Sequence, residues 1–68
     1  DKNKVIGERI RYFRRSKGIT INEVAKKSGL TASFISQFER GLTQASIASI
    51  QKIAQAIGIN LSLLFDGE

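Results

Sequence analysis

Two adjacent segments of this chain each begin at a helix-capping threonine and end at a glycine, and this spacing constrains the fold more than any other feature. The segment Thr20-Ile21-Asn22-Glu23 has the capping-box form, in which the threonine oxygen and the glutamate side chain each accept a backbone N–H. Gly29 supplies the left-handed residue that commonly ends a helix. The pattern therefore predicts a short helix over about residues 21–28, with Ile19 and Val24 as its hydrophobic staple.

A further helix is predicted after a connection of only three residues. Thr31 can cap it, Leu30 and Ile35 can form its staple, and Gly41 closes it. Two helices joined by a tight glycine turn form the arrangement in which the second helix enters the major groove of DNA. The same arrangement occurs in purely structural bundles, so the spacing alone leaves both interpretations open.

Apolar periodicity predicts another helix before this pair and one after it. Ile6, Ile10 and Phe13 mark one face of a first helix over roughly residues 4–17, which Gly18 ends. The later helix is predicted between a Ser46 cap and Gly58. Its apolar stripe comprises Ile47, Ile50, Ile53, Ala54 and Ile57.

A last helical turn or two is expected after Asn60, which is predicted to cap it. In this piece Leu61, Leu64 and Phe65 share a face. The predicted fold class is therefore all-α, a bundle of five short helices in one domain over residues 1–68, which we expect to belong to a longer protein.

Composition excludes several classes of function. The 68 residues contain no Cys, His, Met, Trp or Pro, which excludes disulfides, Cys/His zinc sites and His-based catalysis. No apolar run approaches the roughly 18 residues of a membrane span, and no signal peptide is recognisable. We therefore expect no enzyme activity, no metal, no cofactor and a cytoplasmic location.

Positive charge is concentrated near the N-terminus. The formal net charge is +5, and seven of the eleven basic residues lie in the first quarter of the chain: Lys2, Lys4, Arg9, Arg11, Arg14, Arg15 and Lys17. Such a patch suits polyphosphate or an anionic membrane surface, although a basic run on a small domain is often only a solvated face. Charge alone therefore does not identify the partner.

The outer face of the third helix carries groups that recognise bases. If Ile35 and Phe38 point inward, the opposite face consists of Ser33, Ser36, Gln37 and Arg40. Glutamine can pair with adenine through two hydrogen bonds, serine can bond to any base edge, and arginine can bind guanine or phosphate. Small Ala32 would permit close approach and could touch a thymine methyl. The alternative is an ordinary solvated face.

Five motifs spread over most of the chain follow one known family pattern. They are Gly18-Ile19-Thr20, Glu23-Val24-Ala25, Ser28-Gly29-Leu30-Thr31, Ser36-Gln37-Phe38-Glu39-Arg40-Gly41 and Ile53-Ala54-Gln55-Ala56-Ile57-Gly58. The chain resembles the lambda-repressor-like helix-turn-helix domains, also called the XRE family, from about residue 5 to 65. The resemblance implies a transcriptional regulator that binds specific double-stranded DNA, with its helix-turn-helix core at about residues 20–40. Residues 31–42 look most like regulators with a C-terminal cupin sensor, which implies a sensor domain after Glu68.

The resemblance also implies which residues contact DNA. Base edges would be contacted by Ala32, Ser33, Ser36 and Gln37. Phosphates would lie near Thr20, Ile21, Asn22, Thr31, Arg40, Thr43 and Gln44. Family members commonly place a glutamine where this chain has Ile21, so backbone N–H groups or Asn22 would have to hold that phosphate. Ala45 stands where the family usually has proline, which would loosen the loop.

Four further residues receive structural or assembly roles. Glu39 matches the family glutamate that pairs with an arginine of the first helix, here Arg14, and an acid aimed at DNA would be repelled. Phe34 is expected at the core margin. Leu63 points away from the last apolar face, near the C-terminus where relatives pair. It implies a weak symmetric homodimer through the last two helices that reads half-sites about one DNA turn apart.

The expected mechanism has two steps. Arg9, Arg11, Arg15 and the loop near Arg40 would capture DNA electrostatically, and the recognition helix at about residues 32–40 would then read the groove. The alternative is a helical protein-interaction or antitoxin-like module whose basic first helix meets an acidic partner. That alternative predicts no preference for duplex DNA.

Overall fold

The structure, a computed structural model, describes residues 2–65 and consists of four α-helices followed by a 3-10 helix. Their bounds are α1 (Lys2–Ser16), α2 (Ile21–Ser28), α3 (Ala32–Glu39), α4 (Ile47–Ile57) and the 3-10 helix (Leu61–Leu64). No strand occurs within residues 2–65, so the all-helical prediction is confirmed. The expected number of helices is wrong, because the last piece is a 3-10 turn of four residues rather than a fifth α-helix. None of the described helices is long and apolar enough to cross a membrane.

Both ends of α2 are formed as the capping pattern predicts. The Thr20 hydroxyl oxygen accepts the Glu23 N–H at 3.1 Å, and a Glu23 carboxylate oxygen accepts the Thr20 N–H at 2.9 Å. The bond from the Thr20 N–H, and after it the Thr20 side chain, lowers the pKa of the Glu23 carboxyl. Gly29 ends the helix at φ 76°, in the left-handed region that glycine adopts without strain.

Side-chain caps also begin α3 and α4, but not the 3-10 helix. The Thr31 hydroxyl accepts the Phe34 N–H, and the Ser46 hydroxyl accepts the Ser49 N–H, each at 3.1 Å. Asn60 occupies the cap position of the 3-10 helix without a side-chain cap bond, so that prediction is wrong. Its backbone carbonyl instead accepts the Leu63 N–H at 3.0 Å, because the 3-10 turn closes between residues three apart.

The core receives side chains from every element. Its largest fully buried members are Phe38, Ile10, Ile35, Ile50, Ile53, Leu64 and Val24. Ile19 and Leu30, the staple residues that precede α2 and α3, pack against this core. Ile47 departs from the predicted stripe of α4, since it is 56% exposed. It is the first residue of α4, and the burial of this face begins one turn later, at Ile50.

The N-terminal half of α1 lies directly against the end of α3. Gly7 is buried there, and a β-carbon at this position would collide with the backbone carbonyl of Phe38. Next to it, Asn3 binds both backbone polar groups of Ala45: its amide nitrogen donates to the carbonyl at 3.3 Å, and its amide oxygen accepts the N–H at 2.9 Å. These contacts position α3 and the loop that follows it.

Candidate nucleic-acid interface

The outward face of α3 is polar and accessible. Ser33 and Gln37 are exposed, whereas Ala32 and Ser36 are partly buried. The Gln37 side-chain amide donates to the Ser33 hydroxyl at 3.3 Å, which links two residues one helical turn apart. All four residues expected to contact bases therefore reach the surface on the same helix.

No carboxylate interrupts this face, because the one acidic residue of α3 points into the protein. Glu39 is buried and forms a two-point ion pair with Arg14 of α1, with N–O distances of 2.7 and 2.9 Å. Phe34 lies partly buried at the core margin, with its ring stacked on Phe38 at 6.3 Å between centroids. The exposed part of α3 thus lacks the negative charge that would repel phosphates.

The start of α2 carries backbone donors that have no acceptor within the helix. The first N–H groups of a helix have no acceptor within the helix, and the Thr20 cap serves only Glu23, so those of Ile21 and Asn22 have no partner within α2. The Ile21 side chain is partly buried against the core, while Thr20 and Asn22 are exposed. An anion at this end would therefore be bound by backbone N–H groups and Asn22 rather than by the side chain of Ile21.

The remaining residues expected near phosphates lie at the two ends of α3 and in the loop that follows it. Thr31 is exposed, and its hydroxyl keeps a proton to donate while its oxygen caps the helix. Arg40 is exposed at the end of α3, where its Nε donates to the Ser36 carbonyl at 3.4 Å. Gln44 is exposed and Thr43 partly buried in the loop that continues from it. Each residue expected near a phosphate is therefore at least partly accessible.

Basic residues of α1 divide between two edges of the helix. Lys4, Arg11 and Arg15 follow one stripe at helical spacings of seven and four, and the aliphatic part of Lys4 covers Gly41 beside α3. Arg9 lies about 200° around the helix from Arg11. Its guanidinium donates to the Leu64 carbonyl at 2.8 Å, so Arg9 holds the 3-10 helix. Of the three α1 arginines expected to capture DNA, two share the edge that borders α3.

Leu63 is separated from the α3 face and adjoins the outer surface of α1. It is 41% exposed, and Tyr12, 67% exposed, lines the same shallow groove. Val5 and Phe13 complete its apolar part, and Glu8 and Arg9 flank it. We call Val5, Tyr12 and Leu63 the α1 apolar patch.

Sequence reasoning overlooked Asn3, Gly7 and Leu42. Leu42 is 65% exposed in the loop after α3, and its N–H donates to the Gln37 carbonyl in the turn at Gly41. A glycine in the middle of an apolar helical pattern was the available signal for Gly7, since such a residue often marks a close backbone approach. Nothing in the local pattern identifies Asn3, whose partner lies 42 residues away. No group of acidic residues within residues 2–65 is arranged to hold a metal.

Comparison with known proteins gives consistent matches. A family model described as helix-turn-helix matches residues 10–64. The chain is 38% identical over 65 residues to the HTH-type transcriptional regulator SlrR of Bacillus subtilis (strain 168), covering 94% of this chain and 43% of SlrR. It is 35% identical over 63 residues to SinR of the same organism, covering 91% of this chain and 57% of SinR. The chain thus spans about half the length of these curated relatives.

Solved structures show the same arrangement of helices. The clp gene regulator ClgR from C. glutamicum superimposes with a TM-score of 0.91 at 26% identity, covering 96% of this chain and 84% of ClgR. The master regulator for biofilm formation SinR, solved in complex with DNA, superimposes with a TM-score of 0.80 at 35% identity, covering 90% of this chain and 98% of SinR.

Proposed function

Because the chain belongs to the lambda-repressor-like helix-turn-helix family of transcriptional regulators, we propose that it binds double-stranded DNA sequence-specifically, with α3 in the major groove. The observation that carries the proposal is the outer face of α3, where Ser33 and Gln37 are exposed while Glu39, the one acidic residue of the helix, is buried. Two relatives of this chain are named as transcriptional regulators, and one of them was solved with DNA bound.

In this proposal, phosphates and bases are contacted by different parts of the surface. The N–H groups at the start of α2 and the exposed guanidinium of Arg40 bind phosphates on either side of the groove. Between them, Gln37 and its neighbours on α3 contact base edges, and each good base-reading pair is worth about 1–3 kcal/mol. Arg11 and Arg15 add long-range attraction along the adjoining edge of α1.

The test is an amide-shift NMR titration with a mixed-sequence duplex at low and moderate salt. Binding without sequence preference, with a dissociation constant of roughly 10⁻⁴–10⁻⁶ M, is detectable in this way. We expect shifts in residues 31–44 and at the start of α2 that weaken with salt. Absent shifts, or shifts confined to α1, would instead favour the helical protein-interaction module.

A weak symmetric homodimer on DNA is part of the same proposal. The α1 apolar patch supports it, because an exposed leucine and tyrosine lie together on a surface remote from α3. Leu63→Ser should leave the free chain monomeric and folded and should abolish cooperative binding to paired half-sites. Ile47→Ser removes a similarly exposed side chain from another surface and serves as the control. Sedimentation that shows one chain per duplex for the unmodified protein would contradict the dimer.

We place this domain in the cytoplasm, as the DNA-reading part of a longer regulator whose sensor domain follows Glu68. The greater length of the curated relatives supports the longer regulator. The reading frame of the source gene tests it directly: a cupin sequence downstream is the expected result, and a stop codon after Glu68 would contradict it.

A further inference from the structure

The hydrogen bond between Gln37 and Ser33 leaves the glutamine amide with a defined set of unused groups. A glutamine side chain has two N–H donors and one carbonyl oxygen. One of the donors goes to the Ser33 hydroxyl at 3.3 Å, on the exposed face of α3. The carbonyl oxygen and the second N–H therefore remain for a ligand.

That remaining pair matches adenine and not guanine. In the major groove adenine presents one acceptor, N7, and one donor, the N6 amino group, whereas guanine presents two acceptors, N7 and O6. A glutamine that offers one donor and one acceptor can satisfy both groups of adenine. To satisfy both acceptors of guanine the amide would have to turn both N–H groups to the base. The bond that Gln37 donates to Ser33 would then be lost, and contact would require the Ser33 hydroxyl to turn and donate to the amide oxygen instead.

We propose that Ser33 is a positioning residue that orients the Gln37 amide for adenine and disfavours guanine at the same base pair. This role rests on the proposed function, because it requires α3 to lie in the major groove. It differs from direct base contact by Ser33, which would affect a different base pair. The specificity of Gln37 is then a property of two side chains one turn apart.

The experiment compares base preferences of the unmodified chain, Ser33→Ala and Gln37→Ala by selection from a random duplex pool. Gln37→Ala identifies the base pair that Gln37 reads. At that pair, Ser33→Ala should lower the preference for adenine over guanine about two- to tenfold, the effect of one hydrogen bond. Ser33→Thr keeps the hydroxyl and should retain the preference. In the variant that combines Ser33→Ala with Gln37→Ala, loss of the Ser33 hydroxyl should have no additional effect at that base pair.

A second readout needs no DNA. The side-chain amide resonances of Gln37 in the free protein should shift in Ser33→Ala and remain near their original positions in Ser33→Thr. Ser36→Ala is the matched control, because it removes a hydroxyl from the same helix without removing the partner of Gln37. Alanine is a good helix former, so these variants should keep α3 folded.

The outcomes separate this role from the proposed function. If the unmodified chain selects a sequence, but Ser33→Ala changes a different base pair or adds independently to Gln37→Ala, only the positioning role is refuted. If the unmodified chain selects no duplex at all, the proposed function is refuted and the specificity role with it. An unchanged Gln37 amide signal in Ser33→Ala would refute the positioning role whatever the DNA result.

Discussion

The guanidinium of Arg14 and the carboxylate of Glu39 join α1 to the end of α3 through two parallel hydrogen bonds, of 2.7 and 2.9 Å. Their side chains are 9% and 2% exposed, so the pair is almost completely withdrawn from water. Arg14 also donates to the Ile19 carbonyl at 2.9 Å, and its hydrogen bond to Glu39 raises its pKa. Within the described chain no buried side-chain polar atom lacks a partner. The pair therefore holds the end of α3 against α1 through a contact in which every buried polar atom has a partner.

Removing one member of this pair should destabilise the fold severely. Glu39→Ala leaves a buried guanidinium without its partner, and we expect a loss of about 3–5 kcal/mol in the free energy of unfolding. Urea denaturation provides the measurement, and Glu8→Ala, which removes an exposed carboxylate from α1, should change the value by less than about 0.5 kcal/mol. Equal effects of the two variants would contradict the role of the ion pair.

Gly7→Ala should destabilise the protein although alanine is the better helix former. The added β-carbon would collide with the Phe38 carbonyl, so α1 and α3 must separate. We expect a net loss of about 1–3 kcal/mol, the usual cost of overpacking a core. Thermal unfolding measures it, with Gln51→Ala at an exposed position of α4 as the control. A stabilised Gly7→Ala variant would show that α1 and α3 are not in this close contact.

Asn3→Ala should loosen the loop between α3 and α4 and weaken DNA binding on all sequences alike. The change removes both bonds to Ala45, so the Ala45 amide should exchange faster with solvent. Asn60→Ala is a matched control, because the Asn60 side chain makes no cap bond. Unchanged exchange at Ala45 would mean that the two Asn3 bonds do not restrain the loop.

Arg40→Ala should weaken binding to every duplex and lower the slope of log K against log salt by about one. The physical reason is that one phosphate contact releases about one counterion. Lys52→Ala removes the same charge from an exposed position of α4 and should leave the slope nearly unchanged. The measurement is fluorescence anisotropy across a salt series. Sequence-selective loss for Arg40→Ala would indicate a base contact instead.

Glu23→Gln should make stability less dependent on acid pH. The pKa of Glu23 is lowered in the folded chain, so its carboxylate stabilises the fold above the unfolded pKa of about 4.3, and this contribution is lost as pH falls through the lowered value. Glutamine keeps an oxygen for the Thr20 N–H without the charge. The unmodified chain should therefore be the more stable at neutral pH, and the difference should vanish in acid. Denaturation curves that stay separated at low pH would contradict this.

Much of the candidate site could be predicted because its residues act through their place on one helix. Ser33 and Gln37 reach the surface once Ile35 and Phe38 are buried, and this follows from helical spacing. The structure of the loop between α3 and α4 was harder to predict. The absence of proline at Ala45 suggested a loosened turn, but the structure holds that residue through Asn3 of α1. Likewise, Arg9 could not be separated from Arg11 by charge, since only the position of the 3-10 helix gives Arg9 its partner.

The sequence by itself determined where the helices begin and end in the middle of the chain. The caps at Thr20, Thr31 and Ser46 bind residues three positions away, so the information for them is local. Tertiary structure alone decided the contact of Gly7 with Phe38, the exposure of Ile47 and the 3-10 form of the last turn. These features depend on how closely helices distant in sequence approach one another. Helix propensity and capping patterns are local properties of the sequence and do not depend on that distance.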